Sequence, residues 1–94
     1  MIVEVIMPKL GMYESDVTLI EWLVADGTQV SVGEPLFTME TDKVETEIEC
    51  EDEGILVITA EPGLDAPIGT TIGFIVGSID EISEARQRAS VVGS

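Results

Sequence analysis

The residues that could support chemistry in this chain are few. Lys43 is one of two lysines among 94 residues that include nineteen acidic ones, and it stands in Glu40-Thr41-Asp42-Lys43-Val44-Glu45. A lysine on a turn is, on composition alone, a solubilising charge, so its setting must decide whether it is more. There is no histidine, which removes the commonest general base and the commonest metal ligand together. Cys50 is the single cysteine, so there is no disulfide framework and no zinc site. It falls on the apolar parity of its segment and reads as a small core residue. No nucleophile therefore has a base beside it, and an independent enzyme is disfavoured. Glu47, Glu49 and Glu51 alternate too regularly for the clustered, turning geometry of calcium ligands and read as a solvated face.

The elements that must position Lys43 follow from parity. Phe37 and Met39 alternate with Leu36, Thr38 and Glu40. Beyond the lysine, Val44, Thr46, Ile48 and Cys50 alternate with Glu45, Glu47, Glu49 and Glu51. Period-two alternation is the mark of half-buried strands. Antiparallel pairing around Asp42-Lys43 sets Thr41 opposite Val44, Met39 opposite Thr46 and Phe37 opposite Ile48. Glu40 then meets Glu45, and Thr38 meets Glu47, on the other face. A slip of one residue would turn the carboxylates into the core, so the pattern specifies the register. Lys43 is thereby predicted at a hairpin tip.

Along the rest of the chain, short β-rich runs alternate with Gly and Pro. Strands are predicted at 2–6, 17–24, 29–32, 36–40, 44–50, 55–60, around 66–68 and at 71–76, separated by turn signals such as Asp26-Gly27, Gly33-Glu34-Pro35, Asp52-Glu53-Gly54 and Pro62-Gly63. Eight short strands at this spacing predict an all-β barrel or sandwich. An internal repeat supports a two-fold arrangement. At an offset of 36, Gly27 meets Gly63, Val30 meets Ala66, Gly33 meets Gly69, Leu36 meets Ile72 and Met39 meets Ile75. The coinciding glycines fit short turns that need positive φ. Two similar half-sheets about a pseudo-two-fold axis are expected, with the lysine tip at the join.

The chain has room for one small domain, read as 1–79, followed by 80–94 as a flexible tail or the start of an interdomain linker. Residues 81–89 could form a turn or two of helix, too short to be stable alone. A net charge of −15 argues against nucleic acid and anionic membrane surfaces and allows a partner with a basic patch. No segment is long and apolar enough to span a bilayer, and no signal peptide is evident. Met1 fits a natural start. A cytoplasmic bacterial protein is expected, with the mitochondrial matrix after processing as the alternative.

Met7-Pro8-Lys9-Leu10-Gly11, Glu21-Trp22, Gly27, Val30, Gly33, Leu36, Glu40, Asp42-Lys43-Val44, Gly54 and Ile55 together resemble the lipoyl domains of 2-oxo acid dehydrogenase complexes, over about residues 1–78. The resemblance implies a flattened barrel or sandwich of two four-stranded antiparallel sheets with quasi-two-fold symmetry. It implies (R)-lipoate amide-linked to Lys43, with Glu40, Asp42, Val44 and Gly54 serving recognition by the attaching enzyme and presentation of the lysine. The parent chain would be a dihydrolipoamide acyltransferase, and the domain itself a carrier and not an enzyme. Its implied partners are a thiamine-diphosphate-dependent 2-oxo acid dehydrogenase, the acyltransferase core, dihydrolipoamide dehydrogenase, and a lipoate–protein ligase or lipoyl synthesis enzymes. Gly11, Met12, Tyr13, Glu14 and Glu45 are the candidate partner-binding residues, on an otherwise monomeric domain. Biotinyl domains share the barrel but carry Met-Lys-Met at the tip, which Asp42-Lys43-Val44 departs from. A biotinyl-type carrier or a non-covalent acidic interaction module are the alternatives. In the carrier reading the domain supplies reach and a raised local concentration of its arm.

Overall fold

The structure, a computed structural model, describes residues 1–8, 16–41 and 44–92. Eight strands run in order: β1 (Ile2–Ile6), β2 (Val17–Trp22), β3 (Gln29–Val30), β4 (Pro35–Glu40), β5 (Glu45–Glu49), β6 (Gly54–Ile58), β7 (Asp65–Ala66) and β8 (Thr71–Val76). A helix, α1 (Asp80–Val92), follows them. The strands form two four-stranded antiparallel sheets, β1-β8-β6-β3 and β5-β4-β2-β7. They face each other as a flattened sandwich 20 Å thin and 39 Å long, not a closed barrel.

Advancing every strand number by four converts the first sheet order into the second. The predicted offset of 36 carries β3 onto β7 and β4 onto β8 residue for residue. The same symmetry governs the turns. Gly27, Gly33, Gly63 and Gly69 have φ of 83°, 89°, 98° and 93°, a region where a side chain would be strained. Gly33 N–H donates to Cys50 O and Cys50 N–H to Glu34 O, each at 2.8 Å. Gly69 N–H donates likewise to Met7 O at 2.8 Å, and Met7 N–H to Thr70 O at 2.9 Å. Cys50 and Met7 are thus equivalent core residues, both buried.

The same comparison explains a departure from simple alternation. Leu36 was expected on the polar face of β4, but it is buried in the core beside Phe37. Pro35 pairs with Glu49 and Phe37 with Ile48, so Leu36 is the extra residue of a β-bulge. Its repeat partner Ile72 is bulged in the same way, between Thr71 opposite Ile6 and Gly73 opposite Val5. A bulge re-aims one side chain at the cost of one ladder pair, and here it adds Leu36 and Ile72 to the core. Trp22 is partly buried: its ring centroid lies 5.4 Å from that of Phe37, and its Nε1–H donates to Ala60 O at 3.0 Å.

The segment read as a flexible tail is, over residues 80–92, a helix. Its fully buried Ala85, with Ile82, packs on Val57, Phe74 and Val76, with Ile2 and Ile55 around them. This is a second apolar cluster, separate from the one between the sheets: Phe74 and Val76 of β8 belong to it, while Ile72 and Ile75 face the first, so β8 is buried on both sides. A short helix that is marginal alone is stabilised by such packing. Polar links assist. The Met1 terminal ammonium donates to Glu81, Gly77 N–H donates to Glu81 Oε1 at 2.8 Å, and Arg86 pairs with Asp26. Asp26 also accepts from Ile58 N–H at 2.8 Å.

Deleting residues 80–94 should therefore lower the melting temperature by roughly 4–8 °C per kcal/mol lost and raise binding of a hydrophobic dye, because Val57, Phe74 and Val76 become exposed; an unchanged melt and no dye binding would show that α1 contributes nothing. Burial pushes the Asp26 carboxyl up, but Ile58 N–H and Arg86 outweigh it and hold the group below its ordinary range. A depressed carboxyl contributes stability above its unfolded pKa and loses it as pH falls through the folded one. The melting difference between wild type and Asp26→Asn should accordingly be full at neutral pH, begin to shrink as pH falls past about 4, and disappear only below the depressed folded value.

Candidate cofactor-attachment site

The β4–β5 hairpin has the register that the alternation predicts: Phe37 opposite Ile48, Thr38 opposite Glu47, Met39 opposite Thr46 and Glu40 opposite Glu45. Phe37 and Met39 are buried beneath it, while Glu45, Glu47 and Glu49 are exposed. Thr38 is more enclosed than a polar-face residue would be, at 9% exposure. It sits on an interior strand, flanked by Glu21 of β2 and Glu47 of β5.

The pairing ends at Thr41 and Val44. Thr41 N–H donates to Val44 O at 2.8 Å, which closes a four-residue turn. The Thr41 hydroxyl lies 3.3 Å from both Val44 N, from which it accepts, and Val44 O, to which it donates. Asp42 and Lys43, the two residues between, lie outside the described residues. So do Gly11, Met12, Tyr13 and Glu14 of the expected partner-binding set. Glu40, Val44 and Glu45 are exposed. Among the described residues, Arg86 and Arg88 are both on α1, over the first sheet, so the sheet that bears the turn carries no cationic side chain there.

Gly54 is not part of this arrangement. It begins β6 in the other sheet, pairs with Val30 and lies against β8. A Cβ there would come within 2.5 Å of Val76 O and 2.8 Å of Ile75 Cγ2. Close approach of two backbones accounts for the glycine, not a turn conformation. Cys50 is buried, and its thiol donates to Asp52 O at 2.8 Å. Burial pushes its pKa up, and Asp52, Glu34 and Glu51 add to this, so it is held as the unreactive thiol. No three Asp, Glu or Cys side chains converge on a metal site among the described residues. A groove of about 1220 Å³ lies beside α1, lined in part by Glu4, Thr71, Phe74 and Arg88; none of its lining residues belongs to β4, β5 or their turn. The residue that sequence reasoning passed over is Thr41. Its type was the available signal, since Ser, Thr, Asp and Asn bond to backbone groups at turn starts.

The chain belongs to the biotin/lipoyl family: the family model described as "Biotin-requiring enzyme" matches residues 3–75. It is 31% identical over 88 residues to the dihydrolipoyllysine-residue acetyltransferase component 5 of the pyruvate dehydrogenase complex, chloroplastic, of Arabidopsis thaliana, covering 93% of this chain and 19% of that protein. It is 44% identical over 72 residues to the corresponding component of the pyruvate dehydrogenase complex of Mycobacterium tuberculosis, covering 76% of this chain and 13% of that one. It is 34% identical over 86 residues to the dihydrolipoyllysine-residue acetyltransferase component of the acetoin cleaving system of Cupriavidus necator, covering 90% and 22%. The chain thus spans about a fifth or less of the length of these relatives. Within the family it is a lipoyl-type carrier domain, and the biotinyl alternative is not favoured. Its cofactor is of the covalently attached lipoyl or biotin type.

The packing of Gly54 gives a direct test. Gly54→Val should destabilise the fold by about 1–3 kcal/mol through overpacking against β8, read as a lower denaturation midpoint with the β4–β5 turn amides unshifted in an NMR spectrum. A stability equal to wild type would remove the close-approach account.

Proposed function

We propose that this domain carries lipoate on Lys43 and shuttles acyl groups between the active sites of a 2-oxo acid dehydrogenase complex. The observation that carries the proposal is the hairpin: β4 and β5 in the register that brings Asp42 and Lys43 to a turn closed by Thr41 and Val44. The residues present suit such a group. An amine suits a cofactor that ends in a carboxylic acid, because an amide joins the two. The flanking Glu40, Val44 and Glu45 are exposed, and the groove beside α1 shares no residue with the hairpin. Flanking residues Asp42 and Val44, where a biotinyl tip has methionines, favour lipoate over biotin. When attached, lipoate supplies a dithiolane that accepts and releases acyl groups.

The protein's own part is mechanical and electrostatic. The two sheets hold the hairpin, and the turn presents the lysine. The acidic face of β4 and β5 offers a partner a surface of one sign, which steers association. We assign Glu40, Asp42 and Glu45, with Gly11, Met12, Tyr13 and Glu14, to recognition by the attaching enzyme and by a thiamine-diphosphate-dependent dehydrogenase. Gly54 acts on presentation indirectly, through the packing of β6 on β8. The names of the relatives support a parent chain that is a dihydrolipoyl acyltransferase, served also by an acyltransferase core and a dihydrolipoamide dehydrogenase. Residues 1–79 would be the carrier unit of that chain, in a bacterial cytoplasm.

Coexpression with a lipoate–protein ligase and lipoate should add one lipoyl increment to the intact mass, mapped to the peptide containing Lys43 and absent from Lys43→Arg. A folded protein that takes no increment, or takes one at Lys9, would overturn the assignment.

A further inference from the structure

The groove of about 1220 Å³ beside α1 takes no part in carrying a group on the hairpin. Its walls come from separate elements. Glu84, Gln87 and Arg88 of α1 are spaced three and four residues apart, so they share one helix face. Glu4 of β1 is exposed on the outer side of the first sheet. The segment between β6 and β7 supplies Glu61, Pro62 and Leu64, and β8 supplies Thr71 and Phe74. Other contacts hold the helix wall in place: Ala85 and Ile82 pack on the sheet, and Arg86 pairs with Asp26. The pseudo-two-fold axis shows that this lining is not demanded by the sandwich. By the offset of 36, Pro62, Leu64 and Phe74 correspond to Asp26, Thr28 and Thr38, and Glu61 corresponds to Ala25. The related place is thus built with polar residues where the groove has apolar ones, and without the carboxylate.

We infer that the groove is a docking site for an extended segment of a partner protein in which apolar side chains alternate with lysine or arginine. Charge complementarity points to that occupant. Three carboxylates, Glu4, Glu61 and Glu84, border the groove against one cation, Arg88, which lies 3.7 Å from Glu84. Among the described residues, neither Glu4 nor Glu61 has a cationic partner. The carboxylates come from three elements, and Pro62, Leu64 and Phe74 line the same space. The complement is therefore a set of cations spaced around apolar groups, which an extended chain offers because its successive side chains alternate in direction. The volume exceeds the roughly 300–1,000 Å³ of small-molecule pockets, which favours several side chains over one small ligand. Burial of the apolar side chains supplies the affinity, and the carboxylates supply the rate of approach and the choice of partner. No residue of the groove belongs to the hairpin, so this contact makes no use of Lys43 and does not depend on its modification.

The test is an amide NMR titration of the unmodified 94-residue chain with the peptide acetyl-Arg-Leu-Arg-Leu-Arg-amide. Saturable shifts are expected at Thr59, Glu61, Thr70 and Thr71, with the amides of Glu45, Glu47 and Glu49 unmoved. Two substitutions at exposed positions probe the charge: Glu61→Gln removes a carboxylate, and Gln87→Lys sets a cation on the helix wall. Each should raise the dissociation constant about two- to fivefold, and amide spectra unchanged outside the groove confirm that both variants are folded. The peptide acetyl-Arg-Gly-Arg-Gly-Arg-amide, with the charge but not the apolar groups, should bind about tenfold more weakly or less tightly still. Shifts of equal size along β5, equal affinity for the glycine peptide, or an affinity unmoved by both substitutions would overturn the docking site and leave only attraction between a cation and an acidic chain. The absence of saturable shifts would overturn it as well.

Discussion

The register of β4 against β5 is the constraint on which the rest of the site depends. It is enforced from both faces. Phe37, Met39 and Ile48 must lie over the core, and Glu45, Glu47 and Glu49 must stay in water. Shifting β5 by one residue would exchange these sets and bury three carboxylates, each at a cost of several kcal/mol without a partner. The pairing carries its own penalty, since Glu40 stands opposite Glu45 and like charges across a strand pair repel. Burial of the apolar set outweighs that repulsion, which is screened at the exposed face. The turn then falls on Asp42-Lys43 because nothing else is left between the last paired residues.

The same logic shows why so much of the hairpin could be read from residues alone, and where reading had to stop. Alternation is a local property, and it correctly gave every cross-strand pair from Phe37 to Glu45. Leu36 escaped because a bulge is invisible to parity: one inserted residue reverses the facing of its neighbour, and the signal that would reveal it is the partner strand's count. The repeat held that signal in part, since Leu36 and Ile72 were aligned as apolar partners and both are bulged. Gly54 was legible as a required glycine but not for its reason. Its constraint comes from Val76 and Ile75, which are distant in sequence and adjacent only in the folded sheet.

Helix α1 is faint in the sequence for a related cause. Its sequence is largely polar, and of its residues whose burial is described, 80–88, Ala85 is the fully buried one. A small residue gives little hydrophobic signal, yet it is what allows a helix to sit close on a sheet. The matching half of the contact, Val57, Phe74 and Val76, belongs to strands whose other face already had a core to fill. Two-sided burial reads as a continuous apolar run, and Ile72-Gly73-Phe74-Ile75-Val76 is such a run. That run was the available evidence that something covers the outer face of the first sheet.

Symmetry and its breaking together give the molecule a direction. The two sheets are built on one plan, down to the hydrogen bonds of their turns. They differ in what is added to the plan. The first sheet receives α1, which covers its outer apolar face and brings Arg86 and Arg88 with it. Among the described residues, the second bears exposed Glu40, Glu45, Glu47 and Glu49 and no such helix. The helix also carries Asp80, Glu81 and Glu84, and Arg86 and Arg88 are paired with Asp26 and Glu84, so both faces stay acidic and the difference between them is the cover that α1 provides. A surface of one sign raises the rate of encounter with an oppositely charged molecule more than it lengthens the life of the complex.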